Sequence, residues 1–302
     1  MKETPKDTRP RERRVFDAII QYVNRYKTPA LNETIRYHNE VRPRRLRPWD
    51  DDRFLSWIAA VNAAQHVKVT TLNKMDPAVW LEAFANFRVA AVARLNPDRV
   101  KQKYWRPGEE RSISRIYLRA KVNRIIDSAK AIQAIRDGFG SFGAYMSTFH
   151  IPPHITTECD IVVFWAGAEE LRLDLSRRGM PSLGNWPSLL HFLMENMRYD
   201  CSKPDVVAMR VGYATEMIPR ASGERSRRLL VEAIQHYSLV SGLRPVIVDN
   251  YLMCFGGQTG AVAGDLVRAG TPACRSKERC TNADCPIGAR GLCRVRRESL
   301  GA

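Results

Sequence analysis

Long apolar runs are missing from this chain. Stretches such as Val162 to Ala168 fall far short of a bilayer-spanning helix, and the start MKETPKDTRPRERR carries charge without an apolar core, so neither a membrane span nor a secretory leader is expected. No alternating apolar and polar run of useful length occurs, which argues against a sheet protein. Solenoid-length repeats and long Gly/Ser linkers are missing too, and with them the repeat arrays and loosely strung domains they would build. No G-x4-GK-[ST] phosphate loop is found. Acidic residues are the minority charge: Lys and Arg exceed Asp and Glu by 16, an excess that favours a polyanionic partner through phosphate contacts and counterion release. The expected setting is a reducing cytoplasm, with no membrane attachment.

What is present is helix. The chain has 302 residues, 44% of them hydrophobic, enough for one large core or two modest ones. Residues 1–14 are polar and basic and read as disordered. Apolar spacing then predicts helices at 15–26, 51–65, 77–88, 97–103, 112–137, 142–149, 160–179, 188–197, 204–217, 222–242 and 245–254. Asp76-Pro77 and Asn96-Pro97 place proline in a first turn, and Gly179 and Gly242 suit helix ends. The fold class expected is all-α and two-lobed, with a helical body over 15–270 and a cysteine-bearing tail over 271–302.

That tail holds four of the seven cysteines, Cys274, Cys280, Cys285 and Cys293, in CRSKERCTNADCPIGARGLC. The spacing C-x5-C-x4-C-x7-C is too irregular for paired zinc knuckles, yet it closes a compact loop that four thiolates could fold around one metal centre, an iron–sulfur cluster or a zinc ion. With all ligands from protein such a centre is structural. Arg275, Lys277, Arg279, Arg290, Arg294, Arg296 and Arg297 flank it and offer a phosphate-facing surface. Cys159, Cys201 and Cys254 are isolated and read as small core or pocket-wall residues.

The most informative internal stretch is RRGMPSLGNWPSLLHFLMENMRYDCSKPDVVAMRV. Arg177 to Gly184 reads as a helix end and a short glycine-bearing hairpin, a helix follows from Pro187, and Asp205 comes 21 residues after Gly184. This resembles the helix-hairpin-helix DNA glycosylase superfamily. Leu183-Gly184-Asn185-Trp186 matches the second half of that family's hairpin and Lys203-Pro204-Asp205 its aspartate motif. Arg119 to Phe149 is similar to the helix pair that precedes the hairpin in the 3-methyladenine glycosylases, and 51–101 is more loosely similar to their N-terminal half. The cysteine tail resembles the [4Fe-4S] loop of endonuclease III and the MutY-type adenine glycosylases. The match is incomplete: the loops between cysteines differ in length, which leaves zinc as the alternative to [4Fe-4S]. Ser182 also stands where the family's first hairpin glycine would be.

The resemblance implies a monomeric enzyme that flips a modified base from double-stranded DNA and hydrolyses its N-glycosidic bond. Breaking that bond passes through an oxocarbenium-like sugar, which a carboxylate can stabilise or supply with a steered water. Asp205 is the residue expected in that role. The hairpin residues Leu183, Gly184 and Asn185, together with Lys203, Arg275, Lys277 and Arg279, are expected at DNA. Trp186, Trp57 and Tyr145 are expected around the flipped base. Trp165 and Trp80 lie in apolar helical runs and read as core, and His66 and His191 read as structural. Trp186 occupies the position where bifunctional members carry a Schiff-base lysine, so a lyase step is not expected, though Lys203 leaves one open. Two other readings stand beside this one: a non-catalytic DNA-binding protein on the same scaffold, and an enzyme of DNA base hypermodification, to which Pro48 to Asp52 is faintly similar.

Overall fold

The computed structural model describes residues 9–25, 29–43, 50–64, 67, 69–180, 182–257, 274 and 285–295, and among these there are helices and turns but no strand. Helices run in the order α1 (Pro10–Arg25), α2 (Pro29–Glu40), α3 (Asp51–Ala64), α4 (Val69–Leu72), α5 (Pro77–Ala83), α6 (Val89–Val92), α7 (Pro97–Tyr104), α8 (Ala120–Phe139), α9 (Phe142–Ser147), α10 (Glu158–Arg177), α11 (Trp186–His191), α12 (Val206–Ala214), α13 (Glu224–Ser241) and α14 (Pro245–Phe255), with a short helix at Pro286–Ala289. The chain forms two compact units that interleave along the sequence. One comprises Met1–Arg44, Pro152–Phe164 and Leu190–Ala302, the other Arg45–Ile151 and Trp165–Leu189.

In the second unit α3 and α8 form the centre. Apolar residues recur on α8 at Val122, Ile125, Ile126, Ala129, Ile132 and Ile135, a three-and-four spacing that gives one buried stripe against α3, α6 and α9. Phe54 of α3 meets Phe142 of α9 with ring centroids 4.2 Å apart. Helix ends follow their sequence signals: Asp76 caps α5 by accepting from Ala78 N (2.8 Å), Asn96 caps α7 and Ser141 caps α9. Gly167 on α10 allows a close approach, since a β-carbon there would lie 2.4 Å from Phe149 O.

The first unit packs α1, α12 and α13 against α14, with the short Pro286–Ala289 helix on α1. Gly242 ends α13 in the left-handed conformation at φ 72°. The N-terminal helix differs from expectation. It begins at Pro10, where Arg11 pairs with Glu216, so residues 10–14 are helix rather than disordered tail.

Other boundaries also move. The 77–88 helix stops at Ala83, because Ala85, Asn86 and Phe87 all take positive φ in a short 3-10 turn. The 112–137 helix is broken by a 3-10 turn at Ser114–Ile116 and by Tyr117 at φ 68°, and α8 starts only at Ala120. The 188–197 helix is α11 followed by a π-turn at Phe192–Asn196. Helix α2 has no counterpart in the apolar spacing, for Leu31 alone among its residues is buried.

Candidate functional site

Two structures carry the residues singled out in the sequence, one in each unit. In the second unit, α10 ends at Arg177, Gly179 turns the chain at φ 70°, and α11 starts at Trp186. The hairpin is built from its own polar groups. Gly184 N donates to Met180 O (3.2 Å), and Gly184 O accepts from Ser176 Oγ (3.2 Å) and Arg172 (3.3 Å). A β-carbon at Gly184 would lie 2.5 Å from Ser176 Oγ. Ser182, where the first glycine was expected, is buried and joins Asn62 (2.7 Å) and Ser128 (2.9 Å), tying the hairpin to α3 and α8. Asn185 Oδ1 caps α11 at Ser188 N (3.1 Å), and Leu183 is 1% exposed. Leu183 is therefore an anchor of the hairpin, and the Gly184 N–H is engaged internally.

The pocket aromatics are placed as follows. Trp186 is buried edge-on to Trp165 (5.1 Å) with the Arg172 guanidinium 5.3 Å from its ring. Tyr145 is a core residue: it is 1% exposed among Phe139, Phe142 and Phe149, and its hydroxyl donates to Asp174 (2.7 Å). Burial and that hydrogen bond push the phenol well above its ordinary range. Trp57 lies partly exposed on α3. Trp165 is 2% exposed, and Trp80 packs on Phe84 and Phe87.

In the first unit the chain between the π-turn and α12 is held as a rigid bend. Arg244, just before α14, donates to Asp200 (2.8 Å) and to the carbonyls of His38, Val41 and Arg198. Asp200 also accepts from Ile155 N (3.2 Å) and faces His154 Nδ1 (3.2 Å). Cys201 is fully buried, with its thiol on Leu190 O, and desolvation pushes that thiol well above its usual range. Asp205 ends the bend and caps α12, its Oδ1 accepting from Val207 N (2.8 Å) and Ala208 N (2.9 Å). No donor reaches its Oδ2 among the described residues. Around the bend stand Lys203 and two groups displaced from their ordinary ranges. Burial, then Lys203, lowers His191 to about 4, and burial raises Glu195 against the pull of Lys203.

Two features had no signal in the sequence. Asp249 of α14 is buried behind the bend. Tyr117, strained at φ 68° and 67% exposed, stands beside the 49%-exposed Leu118, so that both side chains face water. Near it lies an open hollow lined by Trp105, Gly108, Ser114, Arg115 and Tyr117, in which Arg115 Nε is buried without a partner among the described residues. Arg119 lies 5.8 Å from the Trp105 ring. Strain of this kind can be recognised only once the backbone is known.

Of the tail, Cys280, Arg275, Lys277, Arg279, Arg296 and Arg297 lie outside the described residues, as does His66. Cys274 is docked through its backbone, donating to Phe255 O (2.9 Å) and accepting from Arg210 (3.2 Å). Cys285 and Cys293 are buried on either side of the Pro286–Ala289 helix. No three His, Cys, Asp or Glu side chains are grouped to hold a metal ion among the described residues. No helix there is long and apolar enough to cross a membrane.

A family model described as methyladenine glycosylase matches residues 31–197. The match contains the hairpin, Trp57, Tyr145 and Trp186, and stops short of Lys203, Asp205 and the cysteine tail. Searches of curated proteins and of solved structures gave no match.

Proposed function

The chain belongs to the methyladenine glycosylase family, whose model covers more than half of its 302 residues, and from that premise we propose a monofunctional DNA glycosylase that removes an alkylated base with Asp205 as its working carboxylate. Membership carries with it N-glycosylase activity on DNA and DNA as the partner. The observation that supports Asp205 is its split environment: one oxygen is fixed by two backbone N–H groups at the start of α12, and the other has no protein donor among the described residues. A fixed carboxylate with one unengaged oxygen is what stabilisation of a cationic sugar requires.

In the proposed reaction the C–N electron pair leaves with the base and positive charge develops at the anomeric carbon. The Asp205 carboxylate stabilises that charge and orients a water, whose oxygen bonds to the carbon while its proton passes to solvent or base. An alkylated purine already carries positive charge, so it departs readily, and less acid assistance is asked of the protein. Extrusion of the base from the stack precedes this step. The excess of 16 basic over acidic residues supplies phosphate affinity. The exposed Tyr117 and Leu118, the first of them strained, are suited to prop the duplex where a base has left it.

The test is a panel of duplexes, each with one modified base, scored for abasic sites beside an Asp205→Asn control. Release from alkylated purines that disappears in the control supports the reading; binding without release from any duplex overturns it. Borohydride trapping on abasic DNA should give no covalent adduct, because Trp186 cannot form an imine; an adduct lost in Lys203→Ala would show a lyase step.

The four tail cysteines carry a separate proposal, a structural [4Fe-4S] cluster with zinc second, supported by ligand type and number alone. The described part of the tail does not by itself fit such a centre, since it groups no three metal-ligating side chains and the fourth cysteine, Cys280, lies outside it. No step of the reaction passes through it. Iron and acid-labile sulfide in equal amounts in anaerobically purified protein would support the cluster, zinc alone the alternative, and neither would end the proposal.

A further inference from the structure

The hollow beside Tyr117 has a volume of about 580 Å³, and Thr71, Trp105, Glu109, Ser114, Arg115 and Tyr117 belong to its lining. Sites for small organic ligands span about 300–1,000 Å³. Its walls are built in advance of any ligand. Trp105 ends α7, and the loop that follows is closed on buried Ser112, whose Oγ accepts from Arg106 N (2.9 Å) and Ser114 N (3.0 Å). Ile113 N donates to Tyr104 O (3.0 Å), and Tyr117 N donates to Ser114 O (2.9 Å).

This lining offers a cation and an aromatic ring. Arg115 is half-buried, and its Nε is shut off from water with no hydrogen-bond partner among the described residues. Glu109, the acid in the lining, pairs with Arg106 instead (3.5 Å). A guanidinium partly withdrawn from water gains most from an anion, and with Nε inside the protein only its terminal nitrogens can serve one. Half-buried Trp105 supplies the ring, and Arg119 over it at 5.8 Å adds a second positive charge. An apolar ligand would leave Arg115 unmatched. A bare phosphate would leave the indole and most of the space unused. An aromatic ring joined to a phosphate uses both.

We propose that the hollow is a nucleotide subsite in which Trp105 stacks an unpaired base and Arg115, with Arg119, takes the phosphate joined to it. The inference rests on DNA as the partner of this chain and is independent of the role given to Asp205, which lies in the other unit. An unpaired nucleotide of a DNA strand and a free mononucleotide present the same ring and phosphate, and the experiment separates them.

Fluorescence anisotropy measures binding of the full-length protein to a fully paired duplex and to the same duplex with one undamaged nucleotide bulged from a strand, so that no excision intervenes. Wild type should prefer the bulge by about tenfold or more, the worth of one base–aromatic stack. Trp105→Ala and Arg115→Gln should each reduce that preference to about twofold or less, and Trp105→Phe should keep it. Arg115→Gln alone should also flatten the salt dependence on the bulged duplex, by about one in the slope of log K on log salt. Competition with free dAMP, beside inorganic phosphate, identifies the source. Displacement by dAMP that is lost in Trp105→Ala shows that the hollow takes a free mononucleotide; a bulge preference without such displacement confines it to a nucleotide in the strand. The inference is overturned if wild type binds both duplexes alike and no dAMP, if the preference survives both substitutions, or if phosphate competes as well as dAMP. It is also overturned if both variants weaken the two duplexes equally with the salt slope unchanged, as loss of packing would. Should Trp105→Ala fail to fold, the preference and slope of Arg115→Gln decide. A protein that prefers the bulge yet excises no modified base keeps this subsite while Asp205 loses its role.

Discussion

The two units bury polar groups in different ways. Around the hairpin of the second unit buried polar groups are tied to one another, although Asn62 Oδ1 and, farther along that unit, Arg115 Nε and Gln133 Oε1 have no partner among the described residues: Ser182 joins Asn62 and Ser128, Lys121 donates to Ala63 O at 3.0 Å, and Asp51 accepts from Phe142 N near Arg136. In the first, ionisable groups crowd one bend and stay partly unsatisfied: Asp205 Oδ2, Asp249 Oδ1 and Ser202 Oγ lack donors or acceptors among the described residues, with His191, Glu195 and Lys203 close enough to feel one another. Closed networks hold a hairpin, and open ones can be given to a substrate.

The sharpest way to break that contrast is one substitution made in both units. Asp205→Asn keeps an N-cap acceptor, for asparagine caps as well as aspartate, so the fold should hold. Excision should fall by about 100-fold or more, the scale seen when a preorganised charge-stabilising group is removed. Asp51→Asn should leave excision unchanged. Loss of excision on Asp51→Asn, or its survival on Asp205→Asn, would reverse the assignment of the two units.

Gly167→Ala tests whether the second unit is as tightly closed as its contacts imply. The added β-carbon would meet Phe149 O at 2.4 Å and Ile151 at 2.9 Å, and a backbone oxygen cannot swing aside. Overpacking of this kind destabilises by about 2–3 kcal/mol, read as a lower urea midpoint with unchanged m-value.

How much of this was legible in the sequence follows the same division. Caps at Asp76 and Asn96 were readable because an acceptor just before a proline and an apolar run has one local meaning. The all-α class followed from the spacing of α8 and α13. Asp249 was not readable: in PVIVDNYLMCF it is one acid in an apolar helix, and its depth comes from packing. Tyr145 misled for the same reason, since an aromatic near a glycine-rich turn can face core or ligand, and here Asp174 and three phenylalanines claim it. The left-handed run at Ala85 to Phe87 has no glycine to announce it.

A pH titration sharpens the contrast within one residue type. Burial raises Asp51 to about 6 from 3.8, with the Phe142 N–H and Arg136 opposing. The folded state thus binds more protons than the unfolded one between those values, so its contribution is fully present below about pH 4 and is lost as pH rises to about 6. Asp51→Asn keeps the acceptor for Phe142 and has no such slope. Relative to wild type its stability should climb across that window by about 3 kcal/mol and then level off. A flat difference from pH 4 to 7 would show that Asp51 ionises as freely in the folded chain as in the unfolded one.

The smallest effect is the most telling because its two parts have opposite signs. Tyr117 holds a positive φ at a cost of about 1 kcal/mol, and its ring is mostly in water, so little packing offsets the strain. Tyr117→Gly should therefore raise the thermal midpoint. If the ring is kept there to stack in a duplex, the same change should weaken binding to abasic or bulged DNA by about 1–3 kcal/mol, the value of one base–aromatic contact, and leave the salt dependence of binding unaltered because no phosphate contact is lost. A gain in stability with undiminished affinity would make Tyr117 a mere fault in the backbone, whereas stability and affinity falling together would make it a packing residue that its exposure conceals.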